Sequence, residues 1–116
     1  MFATKIRATA EALGVPSRPA RDAEALQKRL DRVDDGKLNE PVTAVIVDLG
    51  LGDTGLTLIE KTKAHDPAIP VVAYGSHMAT DTLRQARAKG ADFVMANSQF
   101  AGTLPAILER FGGKTV

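Results

Sequence analysis

Asp48 closes an apolar, β-branched run, Val45-Ile46-Val47, and is followed by a glycine-rich stretch, "LGLGDTGL". A carboxylate in that place lies just beyond the carboxyl end of a strand, where open α/β sheets put their binding and catalytic groups. A second strand-like run, "VVAYG", ends at Gly75 and leads into Ser76 and His77. A third, "ADFVMA", leads into Asn97 and Ser98. Asp48 is a candidate site carboxylate, set against the plain reading of a turn-forming acid with no task. Gly75 and Ser76, with the amides of the following turn, make a candidate anion-binding nest, to which Ser98 would add a hydroxyl.

Hydrolytic and zinc chemistry find less support. Adjacent residues such as Ser76 and His77 do not bring Oγ to a ring nitrogen, and "AYGSH" lacks the second glycine of the G-x-S-x-G elbow. His65 lies in a proline-rich turn, so the two histidines have neither metal-ligand spacing nor supporting acids. Thr54 in "GDTGL" reads as the N-cap of a helix.

The elements that position these groups follow from periodicity and punctuation. "ATKIRATAEALG" predicts a helix with Ile6, Ala10 and Leu13 on one face and a stop at Gly14. "VPSRPA", with two prolines, is tolerable only as an edge strand. "DAEALQKRLDRV" predicts a second helix, capped by Asp22, with Ala23, Leu26, Leu30 and Val33 aligned. "DDGKLNEP" reads as a loop, and its Asp34–Asp35 pair as exposed. "VTAVIVDL" is a strand buried on both faces, and a third helix runs from about Thr54 to "HDPAIP", using Leu56, Ile59 and the aliphatic part of Lys63. After "VVAYG" comes a fourth helix ending at Gly90, and after "ADFVMA" a last helix, "GTLPAILERF", with Pro105 in its first turn. Alternation of this kind, with short connections, means an open, mostly parallel α/β sheet with helices on both faces.

Bulk composition narrows the function classes. The 116 residues, 44% hydrophobic and 25% charged, describe one globular domain spanning 1–116. A formal net charge of +1 gives no field that favours nucleic acid or a membrane surface. The absence of Trp and the single Tyr74 argue against base stacking, and the absence of Cys excludes disulfides and thiolate chemistry. No apolar run approaches the roughly 18–20 residues of a membrane span. The N-terminus lacks the apolar core of a signal peptide, so a cytoplasmic protein is expected.

The stretch from Val42 to Phe111 resembles the receiver domain of bacterial response regulators, the CheY-like branch of the flavodoxin-like folds. Three landmarks carry the resemblance. "VIVDLGLGDTGLTLIE" is similar to the family's strand, acceptor aspartate, loop, "DG" and helix, and puts Asp48 at the phosphoacceptor position. "PVVAYGSH" is similar to the strand that ends at the family's switch Thr or Ser, and "AKGADFVMANSQF" to its "AxGAxxYLxKPF". The resemblance implies a Mg²⁺ site at the acceptor, here reduced to Asp48 and the carbonyl of Gly50, and phosphoryl contacts from the switch and lysine positions. Those positions hold Gly75, with Ser76 next to it, and Asn97. The loop after Asp48 is one residue short.

The family's first strand, with its paired acids, is expected to be missing. That lack implies closure of the remaining strands, cover by a second subunit in a homodimer, or a start codon placed too late. The expected function is therefore that of a degenerate receiver in bacterial two-component signal transduction, a pseudo-receiver. It would act by contact with a protein partner, be no enzyme, and need no cofactor. Its expected interaction face includes Tyr74, Met78 and Phe100. Two alternatives stand beside it. One is a working receiver that takes phosphate on Asp48 with Mg²⁺. The other is a domain binding a small phosphorylated ligand in the strand-end crevice through Gly50, Gly52, Gly75 and Ser76. Thr54 is also placed like the phosphorylated site of STAS-type anti-sigma antagonists, with spacing too short for that family.

Overall fold

A computed structural model describes residues 3–15, 23–31, 33–34, 37–38 and 42–111 of the chain. Its elements in chain order are α1 (Ala3–Leu13), α2 (Ala23–Leu30), β1 (Val33–Asp34), β2 (Lys37–Leu38), β3 (Val45–Asp48), a 3-10 turn (Leu49–Leu51), α3 (Asp53–His65), β4 (Val71–Gly75), α4 (Thr80–Ala88), β5 (Phe93–Ala96) and α5 (Asn97–Phe111).

The long β-branched runs make a parallel sheet in the order β3-β4-β5, with Asp48 opposite Tyr74 and Gly75 opposite Ala96. Parallel strands need crossovers, and α3 and α4 supply them. Along β4 every residue is buried, because both faces are covered. On one face Val71 and Ala73 meet α2, α3 and α4 through Leu26, Leu30, Leu56, Ile59 and Ala86. On the other, Val72 and Tyr74 meet α1 and α5 through Ala10, Phe100, Leu104 and Leu108. Open α/β architecture with helices on both faces is thus what the periodicity predicted.

Several boundaries differ from the sequence reading. The stretch read as a loop after α2 contains a short antiparallel pair, Val33 with Leu38 and Asp34 with Lys37. Val33 lies in that pair, beyond the end of α2 at Leu30. Thr54 is not a cap: α3 begins at Asp53, and its N-cap is Gly52, whose φ of 69° turns the chain out of the 3-10 segment. Helix α5 begins at Asn97, directly after β5, which leaves Pro105 in its interior. An interior proline costs a hydrogen bond and crowds the preceding turn. Burial of Phe100, Leu104, Ile107 and Leu108 along the same helix offsets that cost. Residues 16–22, holding most of the expected edge strand and the Asp22 cap, lie outside the described residues, as does Asp35 of the acidic pair. Among the described residues no strand precedes β3 in the parallel sheet.

Candidate functional site

The carboxyl ends of β3, β4 and β5 bring Asp48, Gly75, Ser76, Asn97 and Ser98 to one edge of the sheet. Asp48 is the last residue of β3 and half-buried. Its Oδ1 accepts a hydrogen bond from the Gly50 N–H at 2.8 Å, capping the 3-10 turn. Glycine suits the turn there, since a Cβ on Gly50 would crowd that oxygen at 3.0 Å. Gly55, in the first turns of α3, permits a second close approach: its Cβ would stand 3.0 Å from the Asp48 carbonyl oxygen and 3.4 Å from Val47 Cγ1. The "LGLGDTG" sequence thus folds the chain tightly around Asp48.

Gly75 is buried at the end of β4. The space beside it is filled by Leu49, the residue after Asp48, which is 5% exposed and part of the core. A Cβ on Gly75 would meet Leu49 Cβ at 3.1 Å, Leu49 Cδ1 at 3.5 Å and Leu83 Cδ2 at 3.7 Å. Ser76, exposed, uses its hydroxyl locally: Oγ accepts from the Met78 N–H at 3.2 Å, and its carbonyl accepts from Ala79 N–H at 3.0 Å. Asn97 is half-buried and Ser98 exposed at the start of α5. His77 is exposed in the same loop as Ser76, while His65 ends α3 far along the chain from this edge. Among the described residues no group of three or more His, Cys, Asp or Glu side chains is placed to hold a metal ion.

Of the three residues expected on an interaction face, the structure exposes only Met78, which is 77% accessible. Tyr74 is 3% exposed and stacks on the fully buried Phe100, with ring centroids 4.1 Å apart and planes at 7°. The reason is the pleat: Tyr74 shares a face of β4 with Val72, and α1 and α5 cover that face. Tyr74 also lies beside Asp48 in register. Burial, and after it the negative charge of Asp48, pushes the Tyr74 hydroxyl up to about 12.

Two features escaped the sequence reading. One is the packing of Leu49 and Leu83 against Gly75. The other lies at the opposite edge of the sheet, where Lys63 Nζ donates to Asp92 Oδ2 at 2.6 Å and to the carbonyls of Ile69 and Pro67 at 2.7 and 3.1 Å. The same Asp92 oxygen accepts from the Val71 N–H at 2.8 Å. The sequence signal was the "AKGAD" stretch.

No family model matches this chain, and no curated protein sequence does. Solved structures match its shape. The receiver domain of NtrX from Brucella abortus is similar with a TM-score of 0.71 and 23% identity, over 96% of this chain and 89% of that one. The phosphorylated cyanobacterial phytochrome response regulator RcpA is similar at 0.68 and 18%, over 97% and 89%. The Mn²⁺-bound form of response regulator Rcp1 is similar at 0.67 and 14%, over 98% and 91%. With strand order, helix placement and these likenesses together, the chain has the flavodoxin-like, CheY-like fold of a response-regulator receiver domain.

Proposed function

We propose that the chain is a degenerate receiver-like signalling domain, a pseudo-receiver that acts by contact with a protein partner in the bacterial cytoplasm, without normal aspartyl phosphorylation. The observation that carries this reading is the packing at Gly75. At the position where the resemblance calls for a switch hydroxyl there is no side chain, and Leu49 and Leu83 fill the space beside it. A side chain introduced there would crowd the core Leu49, its Cβ standing 3.1 Å from Leu49 Cβ.

The rest of the edge supports the same reading. Asp48 Oδ1 is engaged by the Gly50 N–H, and Asn97 puts a neutral amide where the resemblance calls for a cation. Mg²⁺ wants about six oxygen ligands and binds with one or two carboxylates. Among the described residues Asp48 belongs to no group of three or more metal-ligating side chains, and with one oxygen committed to a turn it is a poor fit for Mg²⁺. Of the similar structures, RcpA is a phosphorylated response regulator and Rcp1 a response regulator in a Mn²⁺-bound form. The position of Asp48 at the end of β3 keeps the phosphoacceptor alternative testable. Among the described residues no helix is long and apolar enough to cross a membrane. Met78, exposed in the loop before α4, belongs to the proposed contact face, whereas Tyr74 and Phe100 are core residues.

The test is an NMR titration of the ¹⁵N-labelled chain with Mg²⁺ and then beryllofluoride, a phosphoryl mimic. The expected outcome is no saturable shift at Asp48, Gly50, Gly75 or Asn97. Saturable shifts at those amides, lost in Asp48→Asn, would establish a working acceptor instead. A response to phosphorylated small molecules that survives Asp48→Asn would favour the ligand-binding alternative.

A further inference from the structure

Leu49 belongs to two structures at once. In its own segment it opens the 3-10 turn: its carbonyl accepts from the Gly52 N–H at 3.2 Å, one residue after Asp48 has engaged the Gly50 N–H. Across the edge, its side chain lies against Gly75 and joins the core cluster that includes Ala73 and Ala86, with Leu83 packed alongside. From Gly75 the chain runs through the Ser76 turn into α4, where the Leu83 N–H bonds the Ala79 carbonyl at 3.0 Å. One buried leucine therefore connects the turn that holds Asp48 to the first turn of α4. Each of the two loops also carries an exposed large apolar residue, Leu51 at 49% and Met78 at 77% accessible.

We propose that Leu49 is a latch that makes the turn after Asp48 and the start of α4 open and close as one unit. Gly75 is the other half of the device: a Cβ there would stand 3.1 Å from Leu49 Cβ, so Leu49 would have to give by a few tenths of an ångström. Moving Leu49 alone would strip a nearly full leucine side chain of its core contacts. Moving the start of α4 alone would open the same contact from the other side. Opening of either loop thus carries the same penalty and is shared by both. The proposal takes its purpose from the contact-signalling reading, since a partner that reads two loops needs them at a fixed spacing, but its geometry does not depend on it.

Amide hydrogen exchange on the full ¹⁵N-labelled chain tests this, with wild type, Leu49→Ala, Leu49→Val and the control Leu58→Ala, which shares the core but is absent from the Gly75 contact. In wild type, the Gly50 and Gly52 amides should open with the same free energy as those of Ala79 and Leu83. Leu49→Ala should speed exchange at all four by a common factor of about ten or more. Leu58→Ala should speed exchange in β4, at Val72 and Ala73, without that loop signature. If Leu49→Ala fails to fold, Leu49→Val should show the same pattern with a smaller factor. Acceleration at Gly50 and Gly52 with Ala79 and Leu83 unchanged, or a uniform change throughout the chain, would overturn the latch. The beryllofluoride titration is separate: a working acceptor would sink the contact-signalling reading and leave these exchange factors standing.

Discussion

Replacing Lys63 by methionine should destabilise the domain by about 2–3 kcal/mol, although the change lies at the sheet edge away from Asp48. Methionine keeps most of the aliphatic stem, which fits the space beside Gly90, and removes the ammonium. Three acceptors then lose one donor: Asp92 Oδ2, the Ile69 carbonyl and the Pro67 carbonyl. The ion pair itself is a minor part, about 0–1 kcal/mol, because the Asp92 side chain is 41% exposed. Lys63 is only 16% exposed, and its bond to the Ile69 carbonyl is part-buried, so leaving that acceptor without its charged donor costs about 1–3 kcal/mol. The effects share one atom and do not add in full. Urea unfolding followed by far-ultraviolet circular dichroism reads the difference. A Lys63→Met protein within about 0.5 kcal/mol of wild type would refute the reasoning, that value being the ordinary scatter of surface substitutions.

The same cluster sets an acid dependence. Burial pushes the Asp92 carboxyl upward, but the hydrogen bond from Lys63, the Val71 N–H, the charge of Lys63 and its own backbone N–H outweigh burial and hold it below the usual carboxylate range. A carboxyl depressed in the folded state stabilises above its unfolded value of about 3.9, and that contribution fades as pH falls through the folded value. The stability gap between wild type and Asp92→Asn should therefore be constant at neutral pH and narrow below about pH 4. A gap that stays constant into that acid range would show that the Asp92 charge contributes nothing.

Two further outcomes concern the site. Tyr74 is the sole tyrosine in a chain without tryptophan, so its phenolate absorbance reports a single position. It should titrate near 12, its raised value contributing stability that is complete below about pH 10 and lost as pH rises through 12, and Asp48→Asn should lower it; a folded protein titrating at 10 would contradict the burial. Gly55→Ala should destabilise by about 1–2 kcal/mol despite alanine's better helix propensity, because the new Cβ meets the Asp48 carbonyl oxygen at 3.0 Å. Chemical denaturation measures it, and a stabilised variant would show that the β3 end yields freely.

The fold was legible because its main signals are local. Val45–Asp48, Val71–Gly75 and Phe93–Ala96 are apolar, β-branched or aromatic runs with helical segments between them, and that pattern leaves few topologies. The errors arose where distant packing overrides a local signal. Pro105 reads as a first-turn residue, yet Phe100 packed on Tyr74 continues α5 back to Asn97. Tyr74 and Phe100, near a strand end, read equally as contact-face or core aromatics, and only the assignment of β4 faces buries them. For Lys63 the sequence showed the apolar stem, while its ammonium finds acceptors 6 and 29 residues away. Leu49 was invisible for a related reason: a leucine after an acid reads as the tail of a strand until Gly75 is seen opposite it.

The two edges of the sheet explain how a receiver fold spans nearly the whole chain at 23% identity or less in the three comparisons. At one edge, Gly90 with φ of 109°, Lys63 and Asp92 join the end of α3 to β4 and β5. That clamp works largely through backbone carbonyls and one N–H, which any sequence supplies, so it asks for few specific side chains. At the other edge, acceptor chemistry asks for several at once, and the chain brings Asp48, Gly75, Asn97 and the buried Leu49 to that end of the sheet. Likeness of fold reports the first edge. Whether Asp48 reacts is decided at the second, by the side chains around Gly75.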